Sequence, residues 1–199
     1  MRTLRVIEFL SLDGVMQAPG DPQEDTEGGF RHGGWQRPYF DDVLGASAAQ
    51  GMAATDAYLF GRKTYEKMAA YWPHVSDDDP YARHLNSTPK HVASTTLTHV
   101  DWDKTTLLEG DVPQAVAALK EEPGEDIAVL GSGQLVQTLT EHDLVDEFSL
   151  VVYPILLGSG KRLFRDSEQA RRLTLIDSQT TGTGGVMLTY RPARAATET

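Results

Sequence analysis

The sequence predicts an α/β fold in which a mostly parallel central sheet has an antiparallel C-terminal edge and carries helices on both faces. Two observations support this prediction. Short apolar segments alternate with segments of helical spacing as far as Glu141. Beyond Glu147 the chain turns to strand composition, and its last two strands are joined by the run Gly182-Thr183-Gly184-Gly185, as in a hairpin.

The composition suits one globular domain. The chain has 199 residues, of which 40% are hydrophobic and 24% are charged. We therefore expect a single domain over residues 1–192, followed by a small, polar and disordered tail at 193–199. The sequence contains no cysteine, which excludes disulfide scaffolds, thiolate catalysis and cysteine-ligated metal sites.

The charge balance limits the partners. Eighteen basic and 29 acidic residues give a formal net charge of -11, which disfavours nucleic acid and anionic membranes as partners. The apolar segment Leu4 to Leu12 is interrupted by Arg5 and Glu8 and lacks the cleavage site of a signal peptide. No run approaches the roughly 18 apolar residues that suggest a membrane span. We expect a cytoplasmic protein in which local donors hold any phosphate group.

The first predicted elements are a strand and a long loop. Leu4 to Leu12 is rich in branched and aromatic side chains and ends at the turn Asp13-Gly14, which is typical of a buried strand. Seven glycines and prolines between Val15 and Arg37 exclude a helix or a strand there. Embedded aromatic residues such as Trp35 favour an ordered loop with a function.

The remaining elements follow from spacing and from glycine and proline punctuation. The predicted helices are 41–50, the segment after Thr64 to about 71, 81–86, 112–122 and 134–141. The predicted strands are 57–60, 91–94, 105–108, 126–130, 147–153, 154–164, 173–181 and 186–191.

Two glycine-containing turns each follow a short apolar strand and open a helix, an arrangement that directs backbone N–H groups at phosphate oxygens. In the turn Gly61 to Thr64, Arg62 and Lys63 oppose the helix dipole, and an anionic ligand would compensate for this. An ordinary exposed turn is the alternative. The turn Gly131 to Gly133 lacks the third glycine and the acidic residue of a Rossmann fingerprint. A loop with a purely structural role is therefore an equally good interpretation of this turn.

Other motifs are weaker. The hydroxyl cluster Ser94-Thr95-Thr96 follows a strand and either binds phosphate or terminates the strand. The sequence has no Walker motif, no H-E-x-x-H and no G-x-S-x-G, and its six histidines lack ligand-like spacing. We therefore predict no metal site and no serine-hydrolase chemistry.

Taken in order, six segments resemble the dihydrofolate-reductase superfamily, and most of all the branch related to the C-terminal reductase domain of riboflavin-biosynthesis deaminase-reductases. The resemblance runs from about Leu4 to Pro192 and implies a dihydrofolate-reductase-like sheet. The segments are SLDGVMQ at 11–17, LFGRKTYE at 59–66, KHVAST at 90–95, DIAVLGSGQL at 126–135, HDLVDEFSLVVYPILLGSGKRLF at 142–164 and a closing two-strand segment.

The resemblance implies NADPH as the cofactor. It assigns the turn Gly61 to Thr64 to the cofactor phosphates, and Ser94 and Thr95 to the side of the adenosine 2′-phosphate. Dihydrofolate reductases proper have two adjacent glycines at the second turn, where Ser132 separates Gly131 from Gly133 here, so the local geometry is not carried over. The implied cofactor-binding residues are Gly61, Arg62, Lys63, Thr64, Ser94, Thr95, Leu130, Gly131, Ser132, Gly133, Gln134 and Leu135.

The resemblance also suggests a substrate side. The segment Asp13 to Gln17 resembles the loop that closes over the nicotinamide, and Asp41 lies near where dihydrofolate reductases carry a pterin-binding carboxylate. Water, Asp13 or Asp41 is expected to supply the proton. Solvated helix carboxylates are the alternative for Asp41 and Asp42, and a core anchor is the alternative for Trp35. The expected substrate-binding residues are Val15, Trp35, Phe40 and Pro154.

These observations predict an NADPH-dependent reductase that transfers a hydride to a pyrimidine- or pteridine-like substrate, with a 5-amino-6-ribosylamino-uracil type favoured. The zinc cysteines of the deaminase are absent, which excludes the bifunctional form for this sequence. A dihydrofolate reductase and a non-catalytic nucleotide-binding sensor with the same fold are the alternatives. The family resemblance implies a homodimer.

Overall fold

The computed structural model describes residues 1–165, 167 and 169–193. Within them the chain forms five α-helices and eight strands, together with short 3₁₀ turns at 27–29, 37–39 and 72–74. The helices are α1 (Asp42–Ala53), α2 (Arg62–Tyr71), α3 (Pro80–Ser87), α4 (Val112–Glu121) and α5 (Gly133–Glu141). The strands are β1 (Leu4–Ser11), β2 (Thr55–Gly61), β3 (Lys90–Ala93), β4 (Thr105–Leu107), β5 (Asp126–Leu130), β6 (Glu147–Tyr153), β7 (Leu173–Thr180) and β8 (Val186–Pro192).

All eight strands belong to one sheet in the order β4-β3-β2-β5-β1-β6-β8-β7. The first six strands in this order are parallel to one another, whereas β8 is antiparallel to both β6 and β7. The predicted fold class is therefore confirmed. Because the parallel strands run in one direction, the loops that follow them meet at one edge of the sheet.

Alternating side chains bury both faces of the sheet. On β2, Ala57 and Leu59 join the apolar cluster that includes α4 and α5, while Tyr58 and Phe60 join the cluster that includes α2 and α3. Successive side chains of a strand point to opposite faces, so two helical layers need two apolar faces. A third cluster packs the loop after β1, with Trp35, against β6.

The predicted strand at 154–164 is wrong. The segment is a loop, and its only described strand-like pairing is an isolated antiparallel bridge between Val15 and Arg162. The Asp13 carboxylate accepts hydrogen bonds from the backbone N–H groups of Leu157 (3.1 Å) and Gly158 (2.8 Å), donors that a sheet ladder would otherwise use. Left-handed backbone at Gly158 (φ 73°) also breaks the extended conformation.

The ends of the elements follow local chemistry. Aspartates at the N-caps of three helices accept backbone N–H bonds, as Asp79 does from Tyr81 and Ala82. Ala193 still donates to the carbonyl of Arg172 (2.9 Å), and the rest of the predicted tail, residues 194–199, lies outside the described residues. None of the described helices is long and apolar enough to span a membrane.

Candidate active site

A cleft of about 850 Å³ opens at the carboxyl edge of the parallel strands. Its position follows from the register of β1. The pairing of β1 with β5 ends at Ile7 opposite Leu130, whereas its pairing with β6 continues to Ser11. Residues 7–9 of β1 line the cleft beside the point where β5 gives way to its glycine turn. Such an edge is where open α/β sheets commonly bind ligands.

The two predicted glycine turns meet through one serine. The backbone N–H of Gly61 donates to Oγ of Ser132 at 2.9 Å, and Oγ1 of Thr64 lies 2.6 Å from the same oxygen. Ser132 takes a left-handed conformation (φ 66°) next to Gly131 (φ 68°), a conformation unusual for a residue with a side chain. The serine that departs from the family pattern therefore joins the N-termini of α2 and α5.

Because Gly61 and Gly133 have no side chain, neighbouring groups can approach the backbone of both turns closely. A Cβ atom on Gly61 would lie 2.5 Å from Oγ of Ser132, and one on Gly133 would lie 2.8 Å from Sδ of Met16. Both turns line the cleft and begin helices, so their first N–H groups and two helix dipoles favour an anion there. The donor set fits the phosphates of a dinucleotide.

Positive side chains line this cleft although the whole chain is acidic. They supply the local donors that a phosphate ligand requires in a protein of net charge -11. Four acidic residues, Glu8, Glu24, Asp25 and Glu27, share the same lining. The basic residues of the lining are Arg62, Lys63, Lys67, Lys161, Arg162 and Arg165.

The loop after β1 forms ion pairs with three of these lysines, and its Asp25 lies 4.0 Å from Lys67. Glu27 pairs with Lys63 of the first glycine turn, and Lys161 pairs with both Asp25 (2.6 Å) and Glu27 (2.7 Å). The amide of Gln17, which is buried, donates to the carbonyls of Asp25 and Glu27 and accepts from the N–H of Lys161. A glutamine thus fixes an acidic segment against the cations of the cleft.

These pairs change the acidity of the groups involved. Hydrogen bonds from Lys161, and then from Lys63, lower the pKa of Glu27 to about 2. Burial opposes ionisation of Lys161, but its two carboxylate partners raise its pKa overall. Glu27 and Lys161 are therefore both charged at neutral pH, and a phosphate in the cleft competes with Glu27 for Lys63.

The hydroxyl cluster after β3 lines the other end of the cleft. Oγ of Ser94 accepts the backbone N–H groups of Thr96 (3.1 Å) and Leu97 (3.0 Å), which terminates the strand. Ser94, Thr95 and Thr96 all line the cleft, Oγ of Ser94 lies 3.5 Å from Oγ1 of Thr96, and Thr95 is exposed. Strand termination and phosphate binding, the two alternatives from sequence, are therefore compatible.

The structure brings all twelve predicted cofactor-binding residues to this one cleft, although they come from three separate segments of the chain. Their contact with a cofactor stays a prediction. The segments are Gly61 to Thr64, Ser94 to Thr95 and Leu130 to Leu135.

The two predicted catalytic aspartates are engaged elsewhere. Asp13 accepts from the hydroxyl of Ser11 (2.6 Å) as well as from the loop after β6, and these hydrogen bonds lower its pKa to about 2. Asp41 caps α1 by accepting the N–H of Leu44 (2.9 Å), which lowers its pKa, and it also binds Thr183. Both are ionised at neutral pH and hold no proton to donate.

The four predicted substrate-binding residues lie outside the cleft lining. Val15 and Trp35 are buried in the cluster beneath the loop, where Nε1 of Trp35 donates to the carbonyl of Gln17 at 2.8 Å. Phe40 is 63% exposed, and Pro154 is also exposed. Trp35 therefore anchors the loop, the alternative that the sequence left open.

Sequence reasoning missed Glu8. This residue lies in the middle of β1, lines the cleft and is only 5% exposed. Its signal was present, since Glu8 has the same two-residue parity as the buried Leu4, Val6 and Leu10. A carboxylate at a buried position of a central strand is rare enough to mark a site.

Among the described residues, no group of three or more histidine, aspartate or glutamate side chains is arranged to hold a metal ion.

Comparison with known proteins identifies relatives. The model of the RibD C-terminal domain family matches residues 2–187. Bacillus subtilis (strain 168) has two similar uncharacterised proteins. YyaP is 33% identical over 138 residues, 68% of this chain and 73% of its own, and YwjB is 29% identical over 120 residues, 60% of this chain and 64% of its own.

Solved structures share the fold. A protein from Shewanella sp. PV-4, provisionally named as a riboflavin biosynthesis protein, superposes with a TM-score of 0.72 at 26% identity and covers 96% of this chain and 99% of its own. A pyrimidine reductase-like protein from Corynebacterium diphtheriae gives a TM-score of 0.67 at 15% identity, covering 98% and 93%. At this lower identity the likeness supports the fold alone.

The contact between the glycine turns is testable by stability. We expect Gly61→Ala to lower the free energy of unfolding by about 1–3 kcal/mol, because the new methyl group overlaps Ser132. In a Ser132→Gly background the same change is expected to cost under about 1 kcal/mol, since the overlapping atoms are gone. Urea unfolding of the four proteins measures both values. Gly51→Ala, whose Cβ meets open space, is the control, and an equal cost in both backgrounds contradicts the prediction.

Proposed function

Since the chain belongs to the RibD C-terminal domain family, we propose that it is an NADPH-dependent reductase. The proposed substrate is pyrimidine- or pteridine-like, with a 5-amino-6-ribosylamino-uracil type favoured. One observation carries the proposal. Three segments that are distant in sequence, each assigned to the cofactor by resemblance, line one cleft at the carboxyl edge of the sheet.

The residues of the cleft fit the parts of the cofactor. The helix N-termini at Gly61 and Gly133, joined by Ser132, offer N–H groups and dipoles to the pyrophosphate, and Lys63 offers a positive charge. The hydroxyls of Ser94 and Thr95 suit the additional 2′-phosphate that distinguishes NADPH from NADH. When bound, the reduced nicotinamide supplies a hydride, and the protein orients the reactants and excludes water.

Two observations favour the riboflavin-type substrate over dihydrofolate. Asp41 and Asp42, the nearest carboxylates to the position expected for pterin binding, lie outside the cleft lining. The name of the Shewanella protein, which is 26% identical to this chain, refers to riboflavin biosynthesis. Both support a pyrimidine substrate for this chain, and turnover distinguishes the reductase from a sensor that only binds nucleotide.

Cofactor choice is measured by fluorescence titration with NADPH and NADH. We expect NADPH to bind at least tenfold more tightly, and Lys63→Gln to weaken NADPH about tenfold because a charge-assisted contact worth about 1.4 kcal/mol is lost. Arg83→Gln removes a charge from an exposed position of α3 outside the cleft and is expected to leave binding unchanged. Equal, negligible binding of both nucleotides would overturn the cofactor assignment.

Turnover is measured as NADPH oxidation in the presence of a 5-amino-6-ribosylamino-uracil substrate or of dihydrofolate. We expect oxidation with the first compound and not with the second. Oxidation with dihydrofolate alone supports the alternative enzyme. Tight NADPH binding with no oxidation by either compound contradicts the proposed reductase.

The acidic loop provides a separate prediction. Glu27→Gln removes the carboxylate that competes with phosphate for Lys63 and Lys161, so we expect NADPH to bind several-fold more tightly. Asp21→Asn changes an exposed carboxylate of the same loop that pairs with Arg37 and is the matched control. Weaker binding by the Glu27 variant would mean that the loop closes on the cofactor through Glu27 rather than competing with it.

We propose in addition that the protein is a homodimer. Strand β7 pairs with β8 along one edge, and Leu175 and Ile176 on it are each about half exposed. An exposed apolar edge strand is a template for pairing with a second copy. Light scattering is expected to give twice the mass of one chain, and Leu175→Lys with Ile176→Lys is expected to give one chain's mass. Tyr71→Ser, at an exposed site on α2, is the control.

A further inference from the structure

Glu8 is a buried acid at the floor of the cleft. It is 5% exposed and is flanked on its strand by Ile7 and Phe9, which line the same cleft. It is also the first residue of β1 beyond the last residue paired with β5. Burial, reinforced by the negative charge of Glu24, raises the pKa of Glu8 to about 8. The side chain is therefore a neutral carboxylic acid at neutral pH.

A purely structural role does not explain why a glutamate is buried at this position. Within residues 1–165, 167 and 169–193, Oε1 of Glu8 is the one buried side-chain nitrogen or oxygen with no hydrogen-bond partner. A buried polar group without a partner destabilises a fold, and an apolar residue would pack better beside Val6 and Leu10. Glu8 lines the cleft, and a buried polar atom there that lacks a protein partner points to a partner on the ligand.

The other candidate acids are less suitable. Asp13 and Asp41 are both held ionised by hydrogen bonds, and Asp25 and Glu27 are paired with lysines. Glu8 combines a bound proton with a position in the cleft lining, one residue beyond the end of the β1–β5 pairing and so beside the glycine turn that follows β5.

We propose that Glu8 is the proton donor of the reductase and that it recognises a carbon–nitrogen double bond of the substrate. This inference rests on the proposed function and deepens it, since it names an acid and a reacting group. A neutral carboxylic acid can donate a hydrogen bond to an imine nitrogen, which accepts one. An ionised carboxylate cannot make that bond.

The step balances with the groups named. The imine carbon accepts a hydride with its electron pair from the reduced nicotinamide, and a C–H bond forms. The π bond between carbon and nitrogen breaks, and its electron pair takes the proton of Glu8, so an N–H bond forms. The products are an amine, the oxidised cofactor and the Glu8 carboxylate, which regains a proton from water.

Charged groups around the cleft affect the pKa of Glu8. Glu24 of the loop after β1 disfavours the carboxylate and keeps the proton on Glu8. Of the elements that line the cleft near Glu8, α5 contributes uncharged residues such as Gln134 and Thr138. The segment after β6 contributes Lys161, which is neutralised by Asp25 and Glu27, together with Arg162 and Arg165.

The test combines an infrared titration of the protein without cofactor and a single-turnover measurement with saturating NADPH and a ribosylamino-uracil substrate. In the titration, a protonated carboxyl band is expected to persist to near pH 8 and to be absent in Glu8→Gln. The hydride-transfer rate is expected to fall as pH rises through about 8, because the acid form is lost. Glu8→Gln is expected to be about 100-fold slower and independent of pH in this range, with unchanged NADPH affinity.

Glu24→Gln is the matched variant of the neighbour. It removes the repulsion that holds the proton on Glu8, so both the infrared and the kinetic midpoints are expected to move to lower pH together. A role confined to folding would not shift the kinetic midpoint.

Three results overturn the inference. If the titration gives Glu8 an ordinary carboxyl pKa, Glu8 is not a protonated acid at neutral pH. If Glu8→Gln transfers hydride within threefold of the parent rate, Glu8 is not the proton donor, even if its pKa is high. If the parent protein binds NADPH and reduces no substrate, the proposed function fails and the role of Glu8 fails with it. Since that third result concerns the parent protein and the first two concern Glu8, the two failures are distinguishable.

Discussion

The parallel pairing of β1 between β5 and β6 is the constraint on which the site depends. Because β1 continues to Ser11 while its pairing with β5 ends at Ile7, the centre of the sheet carries an opening at its carboxyl edge. The glycine turn after β5 and the loop after β1 both begin at this opening. The cleft is thus a consequence of unequal strand lengths in the middle of a parallel sheet rather than of any one loop.

Polar side chains then join the segments that meet at this edge. Ser132 connects the starts of α2 and α5, and Asp13 connects the end of β1 to the segment after β6 through backbone N–H groups. Gln17 holds the acidic loop against Lys161. Each of these groups is satisfied within the protein, which stabilises loops that would otherwise expose many backbone donors and acceptors. Glu8 contrasts with them, since its Oε1 is buried and has no hydrogen-bond partner among the described residues.

The cleft differs in charge from the chain as a whole. A chain of net charge -11 repels phosphates at long range, yet six basic residues and two helix N-termini line this cleft. Asp25 and Glu27 form ion pairs with the lysines Lys63 and Lys161. The same carboxylates keep Lys161 charged and therefore ready to bind an anion when one enters.

Local sequence patterns were sufficient for most of the elements and for the two glycine turns. Periodicity and glycine placement gave β5 and β6 their observed bounds, because apolar strands that end at turn residues are signalled within a few residues. The segment 154–164 was mistaken for a strand, because its N–H groups are taken by Asp13, a residue some 140 positions earlier in the chain. The roles of Asp13 and Trp35 were uncertain for the same reason, since hydrogen-bond partners distant in sequence leave no periodic signal.

The sequence by itself therefore determined the fold class, the two glycine turns and the cluster of hydroxyls, which depend on local conformation and on order along the chain. The tertiary structure alone decided that Ser132 links the turns and that Glu27 and Lys161 meet. It also decided that Oε1 of Glu8 is buried with no hydrogen-bond partner in residues 1–165, 167 and 169–193. Burial and charge pairing depend on which distant residues pack together, and the protonation state of a carboxyl group depends on both.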